Sequence, residues 1–177
     1  MEKALGASVV FENDTALVGL GEAVKGAGKD YDIVCYLTVS TGVNGVRIVN
    51  GKIDRNAFGF EIGKHIIDIE SKETLEGITS GGAIEKKFGK KPEEIKIESF
   101  WEKEAEILAI GVYNSILYWS PEVVVMGGGV MNNFSIELVR KHLKQLPQIF
   151  ENMPEVKEAK LGHIGGLEGA LQLLKEK

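Results

Sequence analysis

The chain has 177 residues, of which 44% are hydrophobic, and it carries a formal net charge of −5. That hydrophobic content is enough for a sizeable core, so the chain need not be disordered. The negative charge argues against a general nucleic-acid binder, whose surface would be basic. No apolar stretch reaches the roughly 18 residues that span a bilayer, and the N-terminus lacks the long apolar segment of a secretory signal. We therefore expect a cytoplasmic protein with no membrane or nucleic-acid partner.

The chain contains one cysteine and three histidines. Cys35 has no second cysteine with which to form an internal disulfide, and its place in an apolar run predicts a small buried core residue. Because no cysteine accompanies a histidine, we predict neither a zinc site nor another metal site formed by protein ligands.

The N-terminal part predicts a strand followed by a helix. Residues 7–11 are largely apolar and predict a short buried strand, and Asn13-Asp14-Thr15 is a start signal for an Ala- and Leu-rich helix that ends near Lys25. Asp14 stands where this strand would meet the helix. Its carboxylate is either a helix cap or a group that points into a cleft as a general base. The residues alone leave both interpretations open.

The stretch from residue 31 to residue 63 predicts a hairpin and a long loop. Two apolar strands are separated and followed by small turn residues, namely Ser40-Thr41-Gly42, Asn44-Gly45 and Asn50-Gly51. The hydroxyl groups of Ser40 and Thr41, with the backbone N–H groups beside the glycines, would suit an anionic oxygen such as a phosphate. The simpler alternative is a hairpin whose glycines only form the turn.

Residues 52–63 are rich in glycine, asparagine and charge, as functional loops often are. Glu61 follows Phe58-Gly59-Phe60 in this loop, so its carboxylate is either held partly buried to accept hydrogen bonds from a ligand or simply exposed. Residues 66–69 predict another short strand, with His65 at its edge. A single histidine is more typical of a structural or solvated residue than of a metal ligand.

The second half of the chain predicts helices packed on a buried sheet. Thr79 or Ser80 would cap a short helix, and a long helix would begin near Ile97, with apolar residues every three or four positions. Trp101 and Trp119 would anchor this long helix in the core.

A fully apolar strand over residues 123–126 is typical of a strand buried on both faces of an α/β sheet. It leads into Gly127-Gly128-Gly129, where the backbone would let a phosphate or a flat ligand approach closely. Asn132, Asn133 or both would then cap a helix over residues 134–146. A last strand over residues 158–161, a glycine loop and a helix with one apolar stripe complete the chain.

These motifs occur in the order found in the ROK family of sugar kinases and sugar-responsive repressors, and the sequence resembles that family over almost its whole length. The matching segments are Glu12-Asn13-Asp14-Thr15-Ala16 with Gly21-Glu22, Ser40-Thr41-Gly42-Val43-Asn44-Gly45 with Asn50-Gly51, Gly59-Phe60-Glu61-Ile62-Gly63, Leu75-Glu76 with Ser80-Gly81, residues 123–129, and the closing glycine segment 162–170.

The resemblance implies an α/β fold with an RNase H-like mixed sheet and flanking helices, as in the actin and hexokinase-type ATPases. Residues 1–28 would be the end of an N-terminal lobe with the linking helix, and residues 29–177 would be the larger C-terminal lobe. The implied activity is phosphorylation of a sugar hydroxyl, on a hexose or an N-acetylhexosamine, by ATP and Mg²⁺. Such a reaction depends mostly on positioning and on charge stabilisation.

The resemblance also implies a role for individual residues. Asp14 would be the catalytic base. The sugar would be bound by Asn13, Glu61, Lys64, His65 and Glu76, and the nucleotide by Ser40, Thr41, Gly42, Asn44, Gly127, Gly128 and Gly129. Lys64 stands where the family has a histidine. A cation there would still contact a sugar oxygen, but the hydrogen bonding of a neutral imidazole is lost unless His65 supplies it.

Two family motifs are absent from the chain. One is an Asp-x-Gly-Gly-Thr phosphate turn that includes a magnesium-associated Asp, and the other is a cysteine-rich zinc loop, since residues 72–75 carry no cysteine. We therefore expect an N-terminally truncated lobe with little kinase activity alone. The alternatives are a non-enzymatic sugar-binding or sensor module, as in the family's repressors, and a structural domain without a ligand. The apolar long helix is compatible with a homodimer.

Overall fold

The computed structural model describes residues 1–175 and contains a five-stranded mixed sheet with helices on both faces. Its strands are β1 (Ile33–Val39), β2 (Val43–Val49), β3 (Lys52–Ile53), β4 (Val123–Gly127) and β5 (Glu155–Glu158), in the order β3-β2-β1-β4-β5. The pairs β1–β2 and β2–β3 are antiparallel, whereas β4 runs parallel to both β1 and β5. The carboxyl ends of β1, β4 and β5 therefore meet at one edge of the sheet, where ligands of open α/β sheets bind.

The helices of the described residues are α1 (Glu2–Leu5), α2 (Asp14–Val24), α3 (Leu75–Thr79), α4 (Gly81–Phe88), α5 (Glu98–Trp119), α6 (Ile136–Leu143) and α7 (Gly165–Lys175). Short 3-10 turns cover Ile62–Lys64, Pro92–Glu94, Gly129–Asn133 and Gly162–Ile164. Within residues 1–175, no helix has both the length and the apolar character needed to cross a bilayer.

The sheet separates two hydrophobic clusters. The smaller cluster joins α2 to the sheet and includes Leu20, Ala23, Tyr36, Ile48 and Val125. The larger cluster joins α5 and α6 to the opposite face and includes Cys35, Leu37, Leu108, Val112, Val124 and Val139. Cys35 is fully buried, as predicted, and burial raises the pKa of its thiol.

Glycines set the distance between α2 and α7. A Cβ atom on Gly21 would lie 2.1 Å from the backbone oxygen of Gly165, and one on Gly169 would lie 1.8 Å from the backbone oxygen of Leu17. Both distances are far inside van der Waals contact, so only glycine lets the two backbones approach this closely. Because α7 contacts α2 through this small-residue face, its leucine stripe stays exposed, at Leu167, Leu171 and Leu174.

Several boundaries predicted from the sequence are confirmed. Asn13 caps α2 and Ser80 caps α4, and each side-chain oxygen accepts a hydrogen bond from the backbone N–H three residues later. The long helix α5 begins at Glu98, one residue after the predicted start. Asn50 and Gly51 both have positive φ, as the predicted tight turn requires.

Three predicted strands differ from the structure. Residues 7–11 form no strand, because no sheet edge pairs with them. Residues 66–69 contribute only one isolated bridge, between Ile66 and Thr74. The last strand was predicted over residues 158–161, but β5 covers Glu155–Glu158, so the two ranges share only Glu158.

Two further predictions of local structure are wrong. Asn44 and Gly45 are not part of a turn, because they lie inside β2 opposite Thr38 and Leu37. The helix predicted over residues 134–146 is α6, which is shorter, and its cap is Ser135 rather than an asparagine. Residues 129–133 form a 3-10 turn instead, so the asparagines lie within that turn and before the helix.

Candidate active site

The candidate site lies at the sheet edge where the parallel strands end. The loop after β1 contacts the start of α4: the N–H of Gly81 donates to the backbone oxygen of Ser40 at 2.7 Å, and that of Gly82 donates to the backbone oxygen of Thr41 at 3.0 Å. A Cβ atom on either glycine would lie 3.0 Å from the carbonyl oxygen to which that glycine donates its hydrogen bond. The start of α4 therefore packs directly on the Ser-Thr loop, which holds that loop in place.

A cavity of about 310 Å³ opens beside this loop. Its lining includes Ser40, Thr41, Gly81, Gly82, Lys91 and Gly129. The Ser-Thr loop and the last residue of the glycine triplet are distant in the sequence, yet they face the same cavity. This brings together two of the segments that the sequence predicted to bind a nucleotide.

All three glycines of the triplet line a second cavity, of about 360 Å³, whose lining also includes Glu22, Tyr36 and Thr38. Gly128 has a φ of 101°, and a Cβ atom there would lie 2.3 Å from the backbone oxygen of Val39. Its lack of a side chain therefore serves the packing of the turn on β1. Burial raises the pKa of Tyr36 to about 12, so its side chain presents a neutral hydroxyl to this cavity.

A third cavity, of about 220 Å³, brings Asn13 together with Glu61. The loop that carries Glu61 is anchored by Phe60, whose ring packs edge-to-face on Trp119 with 5.0 Å between ring centroids. Asn13 uses its side-chain oxygen to accept the N–H of Ala16 at 3.2 Å, and the amide nitrogen of its side chain is the group with which it would bind a ligand.

Asp14 is the first residue of α2 and is exposed to solvent. One carboxylate oxygen accepts the N–H of Thr15 at 2.7 Å. A carboxylate at this position is favoured by the helix dipole and remains accessible. Asn13 rather than Asp14 is the cap of α2, and Asp14 follows it as an exposed carboxylate in the first turn. The interpretation of Asp14 as a general base stays a prediction.

Glu76 lies in the first turn of α3 and joins two loops. It forms an ion pair with Lys64, and its other oxygen accepts the N–H of Val43 at 3.0 Å. A Cβ atom on Gly42 would lie 2.9 Å from that oxygen, so Glu76 stands directly behind the Ser-Thr loop. The hydrogen bond from Lys64 is the main reason that the pKa of Glu76 is lowered, and the same contact raises the pKa of Lys64.

This pair gives a first prediction. In Lys64→Met, the pKa of the Glu76 carboxyl should rise toward its ordinary value, because the ammonium group that stabilises its charged form is gone. An NMR titration of the side-chain carboxyl carbon measures this pKa. Lys72→Met, which removes an exposed lysine elsewhere, is the control and should leave it unchanged. If the pKa of Glu76 were the same in Lys64→Met as in the unchanged chain, the ion pair would not form in solution.

His65 and Asn44 are placed less favourably for binding. Nδ1 of His65 contacts the backbone oxygen of Ile62, and Nε2 is buried without a hydrogen-bond partner among residues 1–175. The side-chain oxygen of Asn44 accepts the N–H of Gly45 at 2.8 Å within β2. The interpretation of these two as binding residues stays a prediction.

Sequence analysis missed two buried carboxylates. Glu22 at the end of α2 and Glu104 in the middle of α5 are 0% and 4% exposed. For Glu22 the only signal was its place in a motif shared with the ROK family, whereas Glu104 falls on the buried side of a helix without any motif. Two of the three N–H donors to Glu22 lie more than a hundred residues away, so spacing alone did not reveal its role.

Comparison with known proteins agrees with this geometry. The sequence profile of the ROK family matches residues 1–177. The chain is 27% identical over 186 residues to a putative fructokinase of Bacillus subtilis. The aligned region covers 93% of this chain and 62% of that relative. A crystal structure of a ROK hexokinase from Thermus thermophilus superposes with a TM-score of 0.83 at 27% identity, over 99% of this chain and 69% of that one. A ROK family glucokinase from Streptomyces griseus, crystallised with glucose and AMPPNP, gives a TM-score of 0.81 at 23% identity, over 99% and 71%.

The fold is therefore that of the actin and hexokinase-type ATPases, as predicted. The chain belongs to the ROK family, and the proteins that it resembles there include sugar kinases as well as a transcriptional regulator. It spans about two thirds of the length of the three relatives compared above, between 62% and 71%.

Proposed function

We propose that this chain is the nucleotide-binding part of an ATP-dependent sugar kinase that phosphorylates a hydroxyl group of a hexose-type sugar. The observation that carries the proposal is the shared cavity, in which the Ser40-Thr41 loop and Gly129 face each other at the carboxyl edge of the sheet. This is the position at which open α/β sheets bind nucleotides. The kinase relatives make phosphoryl transfer the reaction expected there.

ATP fits the residues that line this cavity. A Cβ on Gly81 or Gly82 would meet a carbonyl oxygen of the loop at only 3.0 Å, so backbone forms this part of the wall, and the Ser40 and Thr41 hydroxyls are available as donors. We assign the phosphates to Ser40, Thr41 and Gly42 and the adenosine side to the glycine triplet. Bound ATP would supply the phosphoryl group, and the chain would hold it in position.

The sugar is assigned to the cavity that holds Asn13 and Glu61. A carboxylate oxygen accepts hydrogen bonds from sugar hydroxyls, and the amide nitrogen of Asn13 donates one. Lys64 has further N–H groups besides the one that it donates to Glu76, and its side chain is 58% exposed, so it would donate to a sugar oxygen. Glu76 would act behind this surface, with one oxygen held by the loop and the other by Lys64.

Asp14 is the proposed catalytic base. It would accept the proton of the attacking hydroxyl as the bond from that oxygen to the γ-phosphorus of ATP forms and the bond from the γ-phosphorus to the β,γ-bridging oxygen breaks, with ADP as the leaving group. Its exposure supports this role, as does its place directly after Asn13, which lines the sugar cavity.

The same proposal covers the rest of the molecule. Among residues 1–175, no group of three His, Cys, Asp or Glu side chains is placed to hold a metal ion, so Mg²⁺ would enter with the ATP phosphates. We assign residues 1–28 to the end of an N-terminal lobe and residues 29–177 to the larger lobe, and we propose low activity for this chain alone, a cytoplasmic location and a homodimer.

The proposal is tested by calorimetric titration of the purified chain. Magnesium AMPPNP is titrated first, and then a panel of hexoses and N-acetylhexosamines. Glu61→Gln should weaken sugar binding at least about tenfold, because a hydrogen bond to a charged acceptor contributes about 1.5 to 3 kcal/mol. Glu70→Gln, which changes an exposed carboxylate outside the cavity, is the matched control and should bind as the unchanged chain does.

The outcomes separate the candidate functions. Binding of both AMPPNP and a sugar supports the kinase, whereas sugar binding without nucleotide binding favours a sensor module. Sugar binding that is equal in the chain with Glu61→Gln would show that the sugar cavity is assigned wrongly. Transfer at full rate by this chain alone would contradict the proposed low activity.

A further inference from the structure

The buried carboxylate of Glu22 is held by three backbone N–H groups. One oxygen accepts the N–H groups of Lys160 at 2.9 Å and Leu161 at 2.7 Å, and the other accepts the N–H of Ala27 at 2.9 Å. The residue is 0% exposed. Its donors come from two segments that are more than a hundred residues apart in the sequence, one after α2 and one after β5.

These bonds connect the helix that begins with the proposed base Asp14 to the glycine triplet that is proposed to bind the nucleotide. Glu22 belongs to α2, whose first residue is Asp14. Lys160 and Leu161 follow Ala159, whose N–H donates to the backbone oxygen of Met126 at 2.8 Å, directly before the glycine triplet. One continuous path of bonds therefore runs from the helix of the proposed base, through Glu22 and the end of β5, to the turn of the nucleotide cavity.

The position of this carboxylate is unfavourable for α2 taken alone. A negative charge in the last turn of a helix is repelled by the helix dipole, and burial adds a desolvation cost. Charge-assisted hydrogen bonds from three N–H groups offset these costs. The space is also closely fitted, since a Cβ atom on Gly26 would lie 2.0 Å from a carboxylate oxygen of Glu22.

We propose that Glu22 is a positioning residue that fixes the glycine turn of the nucleotide cavity relative to the helix that carries Asp14. The effect of Glu22 on nucleotide binding rests on the proposed function. Its effect on the position of the glycine turn does not. Glu22 borders the second cavity, but its side chain is 0% exposed and both of its oxygens accept backbone N–H groups, so in this role it acts without contacting a ligand. It acts through Lys160 and Leu161 on the turn at residues 127–129.

Glu22→Gln tests this inference. A Gln side chain has one acceptor oxygen and one NH₂ group, so in either orientation at least one of the three N–H donors faces another donor. Hydrogen exchange of the full chain is the first measurement. Protection should fall at least about tenfold at residues 127–130 and 160–161, beyond any change at the most protected amides of β1, since each bond to a charged group contributes about 1.5 kcal/mol or more.

The control variant is Ile48→Val, which removes one methylene from the buried core of the same sheet face. It should lower protection only in proportion to global stability. If Glu22→Gln gives the same proportional pattern, the residue is merely structural and the inference is refuted. Gly26→Ala displaces the same carboxylate without changing its chemistry and should reproduce the local loss, which keeps the test decisive if Glu22→Gln fails to fold.

Nucleotide affinity is the second measurement. Glu22→Gln should weaken binding of AMPPNP about tenfold, whereas Ile48→Val should leave it unchanged, because a folded but less stable chain keeps its site. Binding that is equal in the unchanged chain and the chain with Glu22→Gln refutes the positioning role alone. Absence of AMPPNP binding by the unchanged chain contradicts the proposed function itself, and with it the purpose assigned to Glu22.

Discussion

Gly169→Ala is expected to lower the free energy of unfolding by about 3 kcal/mol, at the upper end of the usual cost of overpacking. The added Cβ atom would lie 1.8 Å from the backbone oxygen of Leu17 and close to the backbone nitrogen of Gly21. Backbone atoms inside a helix cannot rotate away as a side chain would, so α7 must shift as a whole. Urea unfolding followed by circular dichroism measures the change.

Gly166→Ala is the matched control for this prediction. It lies three residues earlier on the same helix, and its Cβ atom would meet only Val18 Cγ2 at 3.7 Å, an ordinary contact. Because alanine is the better helix former, this variant should gain up to about 1 kcal/mol. Equal effects of the two substitutions would contradict the close crossing of α2 and α7, whereas opposite signs would confirm it.

The two contacts between α2 and the C-terminal segment have related consequences. The glycine crossing fixes α7 along α2, and Glu22 fixes the residues just before α7 to the end of the same helix. The helix that begins with Asp14 is therefore held by the end of the chain as well as by the sheet. A shift of α7 should for this reason also disturb the position of the proposed base.

Local signals in the sequence were sufficient for elements whose cause is local. Asn13 and Ser80 are helix caps because their side chains reach a backbone N–H three residues later, and the buried strand β4 follows from its unbroken apolar run. The pairing of Asn13 with Glu61 in one cavity agrees with the resemblance to the ROK family. Both kinds of information are present in one sequence.

Elements that depend on distant partners were predicted poorly. The last strand was expected over residues 158–161, but β5 ends at Glu158 because the N–H groups of Lys160 and Leu161 bond to the side chain of Glu22. The apolar residues 7–11 resemble a strand, yet a strand forms only where a sheet edge accepts it. Similarly, the final helix was predicted with one apolar stripe, but Leu167, Leu171 and Leu174 of that stripe are exposed, and the contact of α7 with α2 uses glycines.

Glu104 provides a case in which burial opposes ionisation. Its side chain is 4% exposed, and Oε2 has no hydrogen-bond partner in the part of the chain that the structure describes. Burial raises the pKa of Glu104 to about 7, and the charge of Lys87 reduces this shift only in part. The carboxyl group therefore keeps its proton in the folded chain at pH values where the unfolded chain has lost it.

Glu104→Leu is expected to stabilise the protein at pH 8 by up to about 3 kcal/mol and to have much less effect at pH 4. Below the ordinary pKa of 4.5 the carboxyl is protonated in both states, so its ionisation makes no difference to stability and only the smaller cost of burying a neutral polar group remains. As the pH rises from 4.5 to about 7, the unfolded chain ionises while the folded chain does not, and stability falls. Above pH 7 the folded chain holds a buried, unpaired charge, and the full cost is present.

Two companion variants make this measurement specific. Glu104→Gln should also flatten the dependence of unfolding free energy on pH, but with a smaller gain, since its amide stays buried without a partner. Glu106→Leu changes a 46% exposed carboxylate two residues away and should alter stability by no more than about 0.5 kcal/mol at either pH. If Glu104→Leu gave the same gain at pH 4 as at pH 8, the effect would come from packing alone, and Glu104 would ionise as an exposed glutamate does.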